Sequence, residues 1–151
     1  YTLAMVLNEF MLQRNARISA AIIATDIDRD ALDKAKEGKY SCKSVEKLPG
    51  EYLDKYFAQE GEFYKVKDSL KKQVIFEYLD LLGDPYPKNC DLIICRNVII
   101  YFTEEAKKEV YLKLSQALNP GGILFVGSTE QIIMPQRYNL APVRTFFYEK
   151  V

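Results

Sequence analysis

The 151-residue sequence has no histidine, no tryptophan, no net charge and only three cysteines. Each absence excludes something. Without histidine, neither a Ser-His-Asp nor a Cys-His device can be assembled within the chain, so any reaction it supports must run without an imidazole base. Cys42, Cys90 and Cys95 match no zinc-ligand spacing, and there is no histidine to complete a site. An odd, sparse set of thiols suits a reducing cytoplasm, and Cys95, inside an apolar run, reads as a small buried hydrophobe. Acidic and basic residues number 21 each, which argues against a general nucleic-acid binder. The most basic stretch, Lys65, Lys67, Lys71 and Lys72, is either a docking surface or a solvated edge. No apolar run reaches about 18 residues, so no membrane-spanning helix is indicated. Leu3 to Met11 is amphipathic rather than a basic stretch followed by an apolar block, so no leader peptide is indicated either.

What remains is an ordinary globular composition, about one domain long. The chain starts without Met and inside a helical pattern, which leads us to expect a fragment of a longer chain. Leu3, Val6, Leu7, Phe10 and Met11 recur at helical spacing and predict an amphipathic helix. Ser19–Ile27 (SAAIIATDI) predicts a buried parallel strand. Asp28 caps a second helix that stops at Gly38. Residues 41–60 predict short helical turns. Residues 62–67 (EFYKVK) and 73–79 (QVIFEYL) predict two strands of a small hairpin-like excursion. Residues 83–87 form a loop. Asp91–Cys95 predicts another buried strand. Thr103 caps a helix with Glu104 and Glu105 in its first turn and an apolar stripe of Ala106, Val110, Leu114, Ala117 and Leu118. Asn119-Pro120-Gly121-Gly122 stops it. Ile123–Val126 and residues 143–150 predict two further strands, the last running antiparallel at an edge. Alternating strands and helices imply an α/β fold with a mainly parallel sheet.

Such sheets bind ligands beyond the C-terminal ends of their strands. On that rule Asp26, Asp80 and the Arg96–Asn97 pair, each at or just after a strand end, face one rim. Asp26 either accepts hydrogen bonds from ribose hydroxyls or is a helix N-terminal acid beside Asp28 and Asp30. The glycine-rich loop expected before a ribose-binding acid is not in these 151 residues. Asp80 either accepts from an adenine amino group or is a loop acid. Arg96 and Asn97 interrupt the apolar run DLIICRNVIIYF (91–102), where burying a cation and an amide without partners would cost several kcal/mol. They either bind a ligand carboxylate or cap backbone groups. Tyr101 either places a hydroxyl over a reactive centre or packs in the core.

Taken together, ATDID (24–28), LDLL (79–82), DLIICRNVIIYF (91–102) and NPGGILFVGSTE (119–130) resemble the catalytic domain of the chemotaxis receptor methyltransferases, the CheR family. The match runs along essentially the whole chain, and CRNVxIYF is its most specific element. The resemblance implies a Rossmann-like α/β fold binding S-adenosylmethionine (SAM), with S-adenosylhomocysteine as product. It implies cytoplasmic domains of chemoreceptors as partners, methylated on glutamate side chains. By similarity Asp26 binds the ribose, Asp80 and Leu81 contact the adenine end, Arg96 and Asn97 line the cofactor site, and Tyr101 lies near the transferred methyl, with Tyr101 and Arg96 as the catalytic candidates. A β-subdomain is expected as an insertion at about 61–78, with a loop too short to favour docking of a receptor tail. The family's first cofactor motif and N-terminal helical domain precede the equivalent of Tyr1. The strand with that motif would lie between those carrying Asp26 and Cys95, so a monomer is expected to leave a gap, to pair those two strands directly or to borrow a strand from a second copy, which raises the odds of a dimer, and SAM binding by this chain alone is expected to be weak or absent. A non-catalytic receptor-binding relative and a methyltransferase of another substrate class are the competing readings.

Overall fold

A computed structural model describes residues 1–151. The chain divides into two compact units, Tyr1–Leu79 and Asp80–Val151.

In the first unit, α1 (Thr2–Gln13) leads to β1 (Ile22–Asp26) and then α2 (Arg29–Glu37). Asp28 caps α2 through its side chain, and Gly38 ends it in the left-handed conformation, both as the sequence predicts. Next come β2 (Lys39–Ser41), α3 (Cys42–Val45), α4 (Gly50–Tyr56), β3 (Phe57–Glu60), β4 (Phe63–Val66), the single turn α5 (Asp68–Lys71) and β5 (Val74–Tyr78). Two sheets result: a parallel pair β1-β5, and an antiparallel sheet of order β2-β4-β3.

This corrects the expected pairing of residues 62–67 with 73–79. β4 is the central strand of its sheet, with β2 on one edge and β3 on the other, so it has no edge left for β5. Instead α5 buries Leu70 and redirects the chain. Val74 and Phe76 then pack into the same core as Ile22 and Ala24. The antiparallel sheet thus occupies 39–66, rather than the 61–78 expected of an inserted subdomain.

The face of α1 also differs from expectation. Ala4 and Met5 are buried, while Val6 and Phe10 are exposed. The helix is held by Glu9, whose Oε1 accepts from Lys55 Nζ at 2.6 Å and from the Tyr56 hydroxyl at 2.5 Å. The lysine cluster is largely used within the unit: Lys67 donates to the Asp54 and Lys55 carbonyls, Lys71 to that of Glu37, and Lys65 pairs with Glu60.

The second unit holds β6 (Cys90–Cys95), a 3₁₀ turn (Ile99–Tyr101), α6 (Glu104–Ala117), β7 (Leu118–Val126), β8 (Leu140–Arg144) and β9 (Phe147–Lys150). The sheet order is β6-β7-β9-β8, with β6 and β7 parallel and the other pairs antiparallel. The C-terminal segment is therefore a hairpin; its last strand runs antiparallel as expected, but β8 forms the edge.

β7 begins at Leu118, directly after α6, so Asn119–Gly122 is an irregular part of the strand as well as the helix stop. Its register against β6 shifts between Cys90 and Leu92. A Cβ on Gly122 would stand 2.9 Å from the carbonyls of both Asn119 and Cys90, and the tight approach requires glycine. The strand carrying Asp26 pairs with β5 within the first unit, and the strand carrying Cys95 pairs with β7 within the second.

Val110, Tyr111 and Leu114 of α6 pack in one core with Leu124 and Val126 of β7. Thr103 caps α6 by accepting from the Ala106 N–H. Thr103→Ala is expected to lower the stability of residues 80–151 by about 1 kcal/mol in urea unfolding, the usual value of such a cap.

Candidate functional site

The Arg96–Asn97 pair stands at the C-terminal end of β6, where the chain leaves the sheet. Asn97 has φ +60°, the left-handed region that asparagine tolerates better than most residues. Its backbone N–H donates to Glu130 Oε2 at 2.7 Å, and the N–H groups of Val98 and Ile99 both donate to Glu130 Oε1 at 2.8 Å. A fourth donor, the Gly127 N–H just past β7, reaches Oε2 at 2.8 Å. Glu130 is buried to 3 % exposure. Burial by itself would raise its pKa and is the largest single influence, but the four backbone N–H groups together hold it below the ordinary glutamate value. The exposed Arg96 guanidinium lies over the Phe125 ring at 5.0 Å, and that ring stacks on Phe147 at 4.2 Å. The pair does not itself cap neighbouring backbone groups: the Asn97 backbone is capped by Glu130, while both side chains remain at the surface.

Asp80 begins a tight loop. Its N–H donates to Asp84 Oδ2, its Oδ1 accepts from Leu82 N–H, and its carbonyl accepts from Asp84 N–H. The Leu81 carbonyl accepts from the Tyr86 hydroxyl and from Lys113 Nζ of α6. The Tyr86 phenol titrates well above the usual range, first because it is buried, then because of Cys95, Glu109 and Asp80 nearby; the loop therefore lies by the end of β6. Cys95 is buried, with its thiol pushed up to about 12 by burial and by Glu130, an inert packing residue as the sequence suggested.

Tyr101 ends the 3₁₀ turn and is 81 % exposed, which overturns core packing as its explanation. Asp26 belongs to the first unit. It ends β1, accepts from the Asp28 N–H at 3.0 Å, and its carbonyl accepts from Leu79 N–H. Asp80, Leu81, Arg96, Asn97 and Tyr101 thus share the second unit, whereas Asp26 stands at a strand end in the first.

The model of the CheR methyltransferase SAM-binding domain matches residues 1–147. The chain belongs to the CheR methyltransferase family. It is 39 % identical over 150 residues to a chemotaxis protein methyltransferase of Listeria monocytogenes, covering 99 % of this chain and 56 % of that one. It is 36 % identical to one of Borreliella burgdorferi, covering 91 % and 53 %, and 34 % identical to one of Escherichia coli, covering 86 % and 47 %. This CheR chain therefore spans about half the length of the curated relatives it matches. Among solved structures it is similar to a putative sarcosine dimethylglycine methyltransferase from Galdieria sulphuraria, with TM-score 0.53 and 11 % identity over 91 % of this chain and 51 % of that one, a likeness that carries the fold alone. The cofactor of the CheR SAM-binding domain is SAM.

Two residues of this CheR chain escaped sequence reasoning. Glu130 lies 31 to 33 positions beyond the N–H groups of residues 97–99, so no local pattern marks it, although it closes the NPGGILFVGSTE stretch. Gly127 allows its approach: a Cβ there would collide with Glu130 Oε2 and stand 2.9 Å from Asn97 Oδ1. The only sequence signal is a glycine directly after a buried strand with an acid three residues on.

Proposed function

We propose that the protein transfers the methyl group of SAM to glutamate side chains in the cytoplasmic domains of chemoreceptors, forming glutamyl methyl esters and releasing S-adenosylhomocysteine. The observation that carries this reading is the CheR family match over residues 1–147. The chemistry of the strand-end groups supports it. SAM presents a ribose diol and an adenine amino group, which call for acceptors, and a carboxylate, which calls for a cation. Asp26 would take the ribose. Asp80, whose Oδ2 accepts no hydrogen bond from the protein, would take the adenine end together with Leu81. Arg96 and Asn97, both exposed, would take the carboxylate end and orient it.

Bound there, SAM supplies a methyl group already activated by its sulfonium. A receptor glutamate, with an ordinary pKa of about 4.3, is ionised at neutral pH and needs no base, in keeping with a chain that lacks histidine. The work left to the protein is to hold both reactants in line and keep water out. Tyr101, exposed on the turn that follows Asn97, would place its hydroxyl beside the transferred methyl, and Arg96 would act with it. No helix is long and apolar enough to cross a membrane, and the reading places the protein in the cytoplasm, acting on receptors from that side. By themselves the 151 residues would bind SAM weakly or not at all, because they hold no glycine-rich loop ahead of Asp26.

Calorimetry with SAM on this chain, beside a version extended upstream, tests the reading. Only the extended version is expected to bind, and it should pass labelled methyl to receptor glutamates in a form released by mild alkali, as an ester is. Tyr101→Phe should lower its kcat by about tenfold to a hundredfold through lost positioning. Absence of SAM binding by both versions would overturn the reading; alkali-stable label would overturn the ester.

A further inference from the structure

We infer that Glu130 is a positioning residue of the cofactor rim, its carboxylate fixing the Arg96–Asn97 turn against the end of β7. The inference rests on the reading of Arg96 and Asn97 as part of that rim.

All four partners of the Glu130 carboxylate are N–H donors, and each of its oxygens takes two of them. A carboxylate is an acceptor throughout and fits this set; an amide of the same shape would turn an NH₂ toward two of the donors. Three of the N–H groups are consecutive and lead into the 3₁₀ turn that ends at Tyr101. Groups at a helix start have no partner within the helix, and without Glu130 they would lie unpaired beside the core. The fourth comes from Gly127, so one side chain joins the C-terminal ends of the adjacent parallel strands β6 and β7. That is the edge where α/β sheets present ligand-binding groups.

The consequence for Arg96 is direct. An exposed arginine is ordinarily free to sample many rotamers. Here its backbone directly precedes the clamped turn, and its guanidinium rests on Phe125 at 5.0 Å. Asn97 is held at φ +60°, with its carboxamide beside Gly127. Neither arrangement needs Glu130 to touch the cofactor. Glu130 acts through the turn it holds.

The test uses Glu130→Gln and Glu130→Asp in the extended version that binds SAM. In Glu130→Gln the amides of Asn97, Val98, Ile99 and Gly127 should lose hydrogen-exchange protection while the β7-β9 ladder keeps its own. The Arg96 side-chain resonances should lose the ring-current shift from Phe125. SAM affinity should fall by about tenfold to a hundredfold, as expected when buried donors lose a charged acceptor. Glu130→Asp keeps the charge but is one methylene shorter, and should fall between the two; it also serves should the Gln variant fail to fold. A folded variant with SAM affinity within about twofold of the parent, or with unchanged exchange at residues 97–99, would overturn the inference. Failure of the unsubstituted extended version to bind SAM would overturn the cofactor reading and the inference with it, and is told apart because it precedes any substitution.

Discussion

Gly127→Ala is expected to destabilise residues 80–151 by about 2–3 kcal/mol, the range for forcing atoms into a packed site, although it adds a single methyl group. Gly127 does not need an unusual backbone angle; it is not among the glycines with positive φ. Its constraint is space. The added Cβ would overlap Glu130 Oε2, stand 2.9 Å from Asn97 Oδ1 and 3.1 Å from Asn97 N. Real Cβ contacts are rarely so short, so something must move. The carboxylate cannot retreat without lengthening its bonds to Asn97, Val98, Ile99 and Gly127 itself, and the Asn97 backbone is fixed by the same carboxylate. Urea denaturation followed by tyrosine fluorescence measures the loss. A midpoint unchanged from the parent would show that Glu130 has room the structure does not grant it.

Glu130→Ala should cost as much or more, about 2–5 kcal/mol, because it leaves four N–H groups without an acceptor, those of Ile99 and Gly127 being buried. Against a typical domain stability of about 5–15 kcal/mol, that is a large fraction. The two substitutions should not add. Removing the carboxylate removes the group the Gly127 methyl would strike, so the double variant should be more stable than the sum predicts by about 1 kcal/mol or more.

The same carboxylate sets an acid dependence. Its folded pKa lies below the ordinary value, so its contribution is complete above the unfolded pKa of about 4.3 and is lost as pH falls through the lower folded value. The parent should lose stability across that acid window. Glu130→Gln, which does not titrate, should be less stable at neutral pH and show a shallower loss on acidification. Parallel pH profiles for the two would mean that other carboxylates carry the acid limb.

The elements most legible in the sequence were those written by local chemistry. Asp28 and Gly38 bracket α2 because a short acceptor side chain and a residue free of Cβ are needed at those two positions, whatever the rest of the chain does. Thr103 with Glu104 and Glu105 starts α6 for the same reason. The apolar runs at 22–26 and 91–95 are parallel strands because period and length suffice to mark them, although Ile23, Leu92 and Ile94 are exposed where the sequence predicts buried strands, and the placement of Asp26, Asp80 and Arg96–Asn97 at strand ends or in the loops beyond them follows from where those runs stop. The CheR identity was legible too, since it lies in the order and wording of the motifs.

What only the tertiary structure decided were choices between partners distant in the chain. β5 could pair with β4 as a hairpin or with β1 across a crossover. Both edges of β4 are taken by β2 and β3, and Val74 and Phe76 find their core beside Ile22 and Ala24. α1 buries Ala4 and Met5 rather than its most apolar stripe, with Glu9 bonded to Lys55 and Tyr56 more than 45 residues away. The turn that follows Arg96 is held by Glu130, a residue no periodicity singles out. Hydrophobic pattern and capping act over a few residues and can be read in a line; a buried carboxylate that gathers four N–H groups from two strand ends exists only once the chain has folded.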